Sequence, residues 1–228
     1  MSGYTWPDIL TGLVRSEGLE ATAATWALNE ILAGRASDVQ IAALLTALRA
    51  KGESEDEISG LADAMLANAL PITLDPDAVD IVGTGGDRAN TVNISTMAAI
   101  VAAGAGAKVV KHGSRAASSM AGTADTLEAL GVKIDVEPAL QAGILDEVGL
   151  VFLFAQKYHP AMKNVAGVRK ALGIQTTFNF LGPLANPARP RAMALGVAND
   201  DVAPVIARVL AERGTRGMVF RGFDGLDG

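Results

Sequence analysis

The sequence predicts an α/β protein, a small N-terminal helical domain followed by a mostly parallel sheet flanked by helices, and three observations carry that prediction. Apolar residues recur at helical spacing, with no strand-like run, up to about residue 70. Two prolines then fall within Pro71 to Asp77. Beyond them, short apolar runs alternate with helical patterns, as in a parallel sheet covered on both faces.

In the first region Leu10, Leu13 and Val14, then Ala24, Leu28, Ile31 and Leu32, share helical faces. Ser37-Asp38 reads as the start of a helix carrying Ile41, Leu44, Leu45 and Leu48, and Lys51-Gly52 as its stop. Ser54 with Glu57 three residues on fits a capping box for a helix running to Leu70. Residues 71–77 read as a hinge. Strands are expected at Ala78–Val82, Ala107–Val110, Lys133–Ile134, Leu150–Phe154, Ala192–Val197 and Gly217–Phe220. Helices are expected near 96–105, 124–130, 138–148, 162–172 and 201–213, the fourth of them packing on the helical domain. The domains are thus 1–70 and 78–228. The run Met218-Val219-Phe220 reads as a core strand with little chain after it, so the α/β domain is expected to be incomplete at its C-terminus.

Composition narrows the function. Half of the 228 residues are hydrophobic and only 4% aromatic, which suits a core of Leu, Ile, Val and Ala. A formal charge of -6 disfavours nucleic acid as a partner unless cations are concentrated locally. The absence of cysteine excludes disulfides and thiolate metal sites. No secretory signal stands at the amino terminus, and the longest uncharged apolar run, Met97 to Ala107, is far short of the roughly 20 residues that span a bilayer. The expectation is a cytoplasmic protein without a membrane partner.

Chemistry concentrates at two expected strand ends. Gly83-Thr84-Gly85-Gly86-Asp87 follows the strand ending at Val82. Glycines there let the backbone approach a ligand and turn successive N–H groups toward phosphate oxygens, but the same run also serves as a tight strand-to-helix connection, and both readings stand. It matches neither the dinucleotide fingerprint nor the Walker loop. Asn90-Thr91-Val92-Asn93-Ile94-Ser95-Thr96 then leads into an apolar helix. Ser95 or Thr96 is a helix cap in one reading; in the other the helix N-terminus takes a pyrophosphate, with the Ser95 hydroxyl on a magnesium ion. The second strand end delivers Lys111-His112-Gly113-Ser114-Arg115, with Ser118, Ser119 and Thr123 beyond. Lys111 reads as a phosphate-binding cation or a solvated lysine, and His112 as a site residue or a hydrogen-bonded structural one. Ligands of open parallel sheets bind beyond the strands' carboxyl ends, so both loops are expected to face one crevice.

The strings VDIVGTGGD, NTVNIST, VVKHGSRAASSMAGTADTLEALG, KYHPAMKNVAGVRKALG and FNFLGPLANP, in that order, make the chain similar to the anthranilate phosphoribosyltransferase family along its whole length. The resemblance implies a nucleoside phosphorylase/phosphoribosyltransferase-like fold and transfer of phosphoribosyl from phosphoribosyl pyrophosphate to the amine of anthranilate, with Mg2+ as cofactor, in tryptophan biosynthesis. It places phosphoribosyl pyrophosphate on Gly83, Gly86, Asp87, Thr91, Asn93, Ile94, Ser95 and Thr96, and on Lys111, His112, Gly113, Arg115, Ala116, Ala117, Ser118, Ser119 and Thr123. It places anthranilate on Gly83, Ser114 and Arg169, and metal on Ser95 and Asp227. An Arg169 guanidinium suits the substrate carboxylate, which it can pair through two parallel hydrogen bonds. A homodimer through the N-terminal helices is implied too. No residue is implied as acid or base.

Two departures stand against the resemblance. Ser114 replaces the family's Asn and lacks its amide donor. The family's Asp-Glu pair for a second magnesium falls on Asp227 and Gly228, so the Glu is missing. Two competing readings are a pyrimidine nucleoside phosphorylase, expected to carry a Ser-Gly-Arg-rich second loop, and a non-catalytic relative or fragment that binds a phosphate ligand without turnover.

Overall fold

The computed structural model describes residues 3–86, 92–115 and 122–227. The chain divides into two compact units, one of residues 1–69 with 159–185 and the other of residues 70–158 with 186–228.

The first unit is helical. Its elements are α1 (Trp6–Val14), α2 (Ala21–Leu32), α3 (Asp38–Lys51), α4 (Glu55–Ala67), α9 (Lys163–Leu172) and α10 (Phe178–Leu184). The expected start signals are present as capping boxes. Ser37 pairs with Gln40 at the head of α3, and Ser54 with Glu57 at the head of α4, so orphan N–H groups of each first turn are satisfied locally. Helices α2 and α4 meet almost backbone to backbone, because Ala24, Ala27, Ala62 and Ala64 are all fully buried and small. At Gly60 a Cβ would lie 2.1 Å from the Ala21 carbonyl oxygen, so glycine is required there despite its low helix propensity. Thr25 Oγ1 stitches the same place, 2.8 Å from the Ala21 carbonyl and 2.9 Å from that of Gly60.

The second unit holds a five-stranded sheet of β1 (Val79–Gly83), β2 (Val109–Gly113), β3 (Leu150–Phe154), β4 (Ala192–Gly196) and β5 (Arg216–Phe220). Its order is β3-β2-β1-β4-β5 and every pairing is parallel. The connecting helices are α5 (Ile94–Gly104), α6 (Thr123–Ala129), α7 (Pro138–Val148), the single turn α8 (Ala155–Tyr158) and α11 (Ala203–Glu212). Successive residues of β3 bury on opposite faces: Val151 and Leu153 join Ala78, Val110, Leu145 and Tyr158, whereas Phe152 joins Ala124, Leu127 and Ile134. After β1 the chain moves outward to β2 and β3, then returns to the far side of β1 with β4. That reversal is a topological switch point, so the β1 turn opens into the crevice where ligands of such sheets bind.

The strand expected at Lys133–Ile134 does not form. Ile134 is instead a buried plug between α6 and α7, and a two-residue apolar signal cannot distinguish a plug from a strand. No helix among the described residues is long and apolar enough to cross a membrane.

Candidate functional site

The carboxyl ends of β1 and β2, with the head of α5, form the candidate site. Past Gly83 the chain turns at Gly85 (φ +69°) and Gly86 (φ +89°), backbone values that glycine adopts without the Cβ penalty of other residues. Gly83 is required for a different reason. A Cβ there would stand 2.5 Å from the Asp227 carbonyl oxygen, and one at Gly196, its register partner on β4, 1.9 Å from the same atom. The turn accepts an anionic oxygen: the Gly85 N–H donates to Asp227 Oδ2, and Thr84 Oγ1 lies 3.3 Å from that oxygen. Thr84 is itself fixed across the switch point, its N–H donating to the Gly196 carbonyl (3.0 Å) and its hydroxyl accepting from Ala198 N–H (3.1 Å).

Helix α5 is capped by Asn93, so the N-cap is neither Ser95 nor Thr96, the two residues that one reading of the sequence offered for it. Asn93 Oδ1 accepts from Thr96 N–H (3.0 Å), from the Thr96 hydroxyl (2.6 Å) and from the Ser95 hydroxyl (3.2 Å). Ile94 is the first helical residue. Ser95 Oγ also lies 3.1 Å from Lys111 Nζ, and the same ammonium donates to the Ile81 carbonyl. Lys111 is 1% exposed, so it is no solvated surface lysine. Burial lowers its pKa to about 8, opposed by the charge of Asp80. At neutral pH it remains a cation in a poorly solvated place, which costs free energy unless anionic oxygen approaches it.

His112 is buried and its backbone N–H reaches Asp80 Oδ1 at 3.3 Å. Gly113 is glycine because a Cβ would press to 3.1 Å on Thr123 and on the Phe152 ring. Ser114 is exposed; its Oγ donates to the Arg115 carbonyl, and its own carbonyl caps α6 by accepting from Ala124 N–H (3.2 Å). Arg115 turns to α6, where Nη1 bonds Asp125 (2.9 Å) and Glu128 (2.6 Å), and it lies over the Phe154 ring. Those two carboxylates raise its pKa further, so its guanidinium is engaged within the protein. Thr123 is the first residue of α6. Asp87, Thr91, Ala116, Ala117, Ser118 and Ser119 lie outside the described residues. Arg169 belongs to the helical unit, in the last turn of α9, with its guanidinium 5.3 Å from the centre of the Phe178 ring; burial lowers its pKa.

Two polar residues that the sequence reading passed over are fully internal here. Asp80 on β1 accepts from Asn186 Nδ2 (2.8 Å) as well as from His112 N–H, and Asn186 Nδ2 also reaches the Val110 carbonyl (2.9 Å). Burial pushes the Asp80 carboxyl up to about 6, against the pull of Lys111 and of its hydrogen bonds. An Asp inside the run Val79-Asp80-Ile81-Val82 was the available signal, since a buried carboxylate persists only with partners.

For a metal ion, Ser95 Oγ and the Asp227 carboxylate are hard oxygen donors of the class magnesium takes. Among the described residues no group of three or more acidic, His or Cys side chains converges. Each donor therefore fits a magnesium ion of its own, Ser95 one and Asp227 a second, that takes its remaining oxygens from ligand phosphate and water, not an all-protein cage.

Comparison with known proteins identifies the family of both units. Residues 7–69 match the helical bundle domain of the glycosyl transferase family, and residues 75–228 match its a/b domain. The chain is 56% identical over 226 residues to anthranilate phosphoribosyltransferase of an Arthrobacter species, which covers 99% of the chain and 64% of that relative. It is similar in structure to the anthranilate phosphoribosyltransferase of Thermus thermophilus (TM-score 0.91, 45% identity, 96% of this chain and 67% of that one). The Saccharomyces cerevisiae enzyme, solved in complex with PRPP and Mg, superposes with a TM-score of 0.89 at 33% identity, over 99% of this chain and 68% of that one. The chain thus spans less than two thirds of the length of the Arthrobacter relative.

Proposed function

This chain belongs to the glycosyl transferase family, alongside the anthranilate phosphoribosyltransferases, and we propose that it carries the phosphoribosyl pyrophosphate-binding face of an enzyme that transfers phosphoribosyl to the amine of anthranilate. One observation supports the reading above the others. A buried Lys111 ammonium from the middle of β2 is hydrogen-bonded both to Ser95 at the head of α5 and to the β1 carbonyl two residues before Gly83, so three segments named from the sequence meet at one cation.

In the proposed reaction the amine nitrogen attacks the anomeric carbon, the bond from that carbon to the pyrophosphate oxygen breaks, and the amine proton passes to solvent. An arylamine is nucleophilic and scarcely basic at neutral pH, so catalysis needs positioning and charge neutralisation more than a protein base. Lys111 and the amides of the glycine turn would neutralise the departing pyrophosphate, and Asn93, Ser95 and Thr96 would fix its approach to the α5 N-terminus. One magnesium held by Ser95 and a second held by Asp227, each together with the ligand's phosphates, would supply further charge neutralisation when bound. Gly83, Gly86, Asp87, Thr91, Ile94, His112, Gly113, Ser114, Arg115, Thr123 and the segment Ala116 to Ser119 are assigned to the same ligands by resemblance, as is Arg169 to the anthranilate carboxylate.

Calorimetric titration of the chain with magnesium and phosphoribosyl pyrophosphate, beside a product assay with anthranilate, tests this. Saturable binding with turnover is the expected result, binding without product favours the non-catalytic alternative, and no binding rejects the site. A homodimer through the N-terminal helices belongs to the same proposal, and Val14 and Val39 are exposed apolar groups that such a contact would cover. Sedimentation equilibrium is expected to give twice the 23.4 kDa chain mass; a monomer at all concentrations rejects it.

A further inference from the structure

The seam between β1 and β2 is built differently from the other seams of the sheet. Strands β1 and β4, β2 and β3, and β4 and β5 each pair along their whole length, Val79↔Ala192 through Gly83↔Gly196 in the first case. Strands β1 and β2 pair only at Val79↔Val109, beside the bond from Val79 N–H to the Lys108 carbonyl. Alternate residues of a parallel strand face alternate neighbours. Val109 N–H donates toward β3, to the Gly149 carbonyl, so Val110 and His112 face β1; Val79 N–H donates toward β2, so Ile81 faces β2 as well. Three groups of this opened seam are bonded to side chains in place of a ladder. The Val110 carbonyl takes Asn186 Nδ2, His112 N–H takes Asp80 Oδ1, and the Ile81 carbonyl takes the Lys111 ammonium. Asn186 also bonds Asp80, whose charge in turn attracts the Lys111 ammonium, and none of the three side chains is more than 3% exposed.

A buried carboxylate, ammonium and amide are an expensive way to close a sheet when a backbone ladder would do. Their arrangement sits directly below the carboxyl ends of β1 and β2, from which the glycine turn and the segment starting at Ser114 leave the sheet. We infer that Asp80 and Asn186 are positioning residues for the phosphate site, a polar wedge that holds β1 and β2 apart and aims the Lys111 ammonium between them toward Ser95. Neither residue touches the ligand. They act through Lys111 and through the spacing of the two strand ends, which backbone pairing along the full seam would close. This inference rests on the proposed phosphoribosyl pyrophosphate site and adds its supporting residues.

The test is a double-mutant cycle read by calorimetry, with magnesium and phosphoribosyl pyrophosphate as one probe and magnesium with inorganic pyrophosphate as a second. Asp80→Asn is expected to weaken both probes about tenfold or more, the scale of one charge-assisted hydrogen bond. In a Lys111→Met background the same substitution is expected to change affinity less than about twofold, because the group it positions is gone. Thermal melts of all four proteins accompany the titrations, and a purely structural role would lower affinity equally in both backgrounds. Asn186→Ala, which leaves the carboxylate and ammonium in place, is expected to follow the same pattern and serves if Asp80→Asn does not fold. Equal losses in the two backgrounds, or undiminished binding in Asp80→Asn and Asn186→Ala, overturn the wedge while leaving the site. Failure of the unsubstituted chain to bind either probe overturns the site and the wedge with it.

Discussion

Lys111→Met is expected to lower affinity for magnesium and phosphoribosyl pyrophosphate by roughly 10- to 150-fold, because it removes a charge-assisted hydrogen bond worth about 1.5–3 kcal/mol. The estimate belongs to a buried group. Lys111 is 1% exposed and hydrogen-bonded to the Ile81 carbonyl and Ser95 Oγ, so little side-chain entropy is lost when a ligand arrives, and added salt should screen it weakly. Methionine fills nearly the same volume without a donor, which separates loss of charge from loss of packing. Lys111→Arg is expected not to rescue binding, since a planar guanidinium fork does not fit a space shaped for a point charge between two strands. Calorimetry with circular dichroism of each variant checks this. Affinity within about twofold of the parent for Lys111→Met, in a folded protein, would remove Lys111 from the site.

The positions of the two loops were legible because strand ends in a parallel fold are marked by sequence twice, by an apolar run and by the glycines that follow it. Lys111 and Ser95 could be named from those marks, and their contact follows from the topology once β1 and β2 are neighbours. What the contact does to Lys111 was not legible: burial depends on helix α5 and on the open seam, neither of which the Lys-His-Gly run encodes. Asp80 and Asn186 escaped for a related reason. Their partners are backbone groups of particular register, and register is known only when strands are paired. Arg115 shows the converse, a cation read as phosphate-facing whose guanidinium is engaged by Asp125 and Glu128. Short elements failed on signal length. Ile134 mimicked a strand, α8 is a single turn, and α10 was hidden by the Gly182-Pro183 pair within it.

In the helical unit a large effect is expected at Glu57, a charged residue and not an apolar one. Glu57→Ala is expected to destabilise the protein by about 4 kcal/mol, the range found when one partner of a buried charged network is removed. The carboxylate is 0% exposed and both oxygens accept. Oε1 takes the Leu19 N–H (2.9 Å), and Oε2 takes the Ser54 N–H (2.7 Å) and the Lys51 ammonium (2.9 Å). One residue thus ties the loop before α2, the end of α3 and the start of α4. Alanine leaves the buried Leu19 N–H without its acceptor, at about 1–3 kcal/mol, takes the same partner from the half-buried Ser54 N–H, and leaves Lys51 with the Gly52 carbonyl in place of a carboxylate. The identity of the side chain matters as much as its presence, because Glu57→Gln offers an NH2 group to one set of donors and should still cost about 2 kcal/mol. Exposed pairs give a control: Glu30→Ala breaks the surface contact with Arg35 and should cost under about 1 kcal/mol. Urea unfolding of the three variants orders them. A Glu57→Ala loss no larger than that of Glu30→Ala would mean that the α2 to α4 junction is held by its alanine packing alone, with the buried carboxylate merely tolerated.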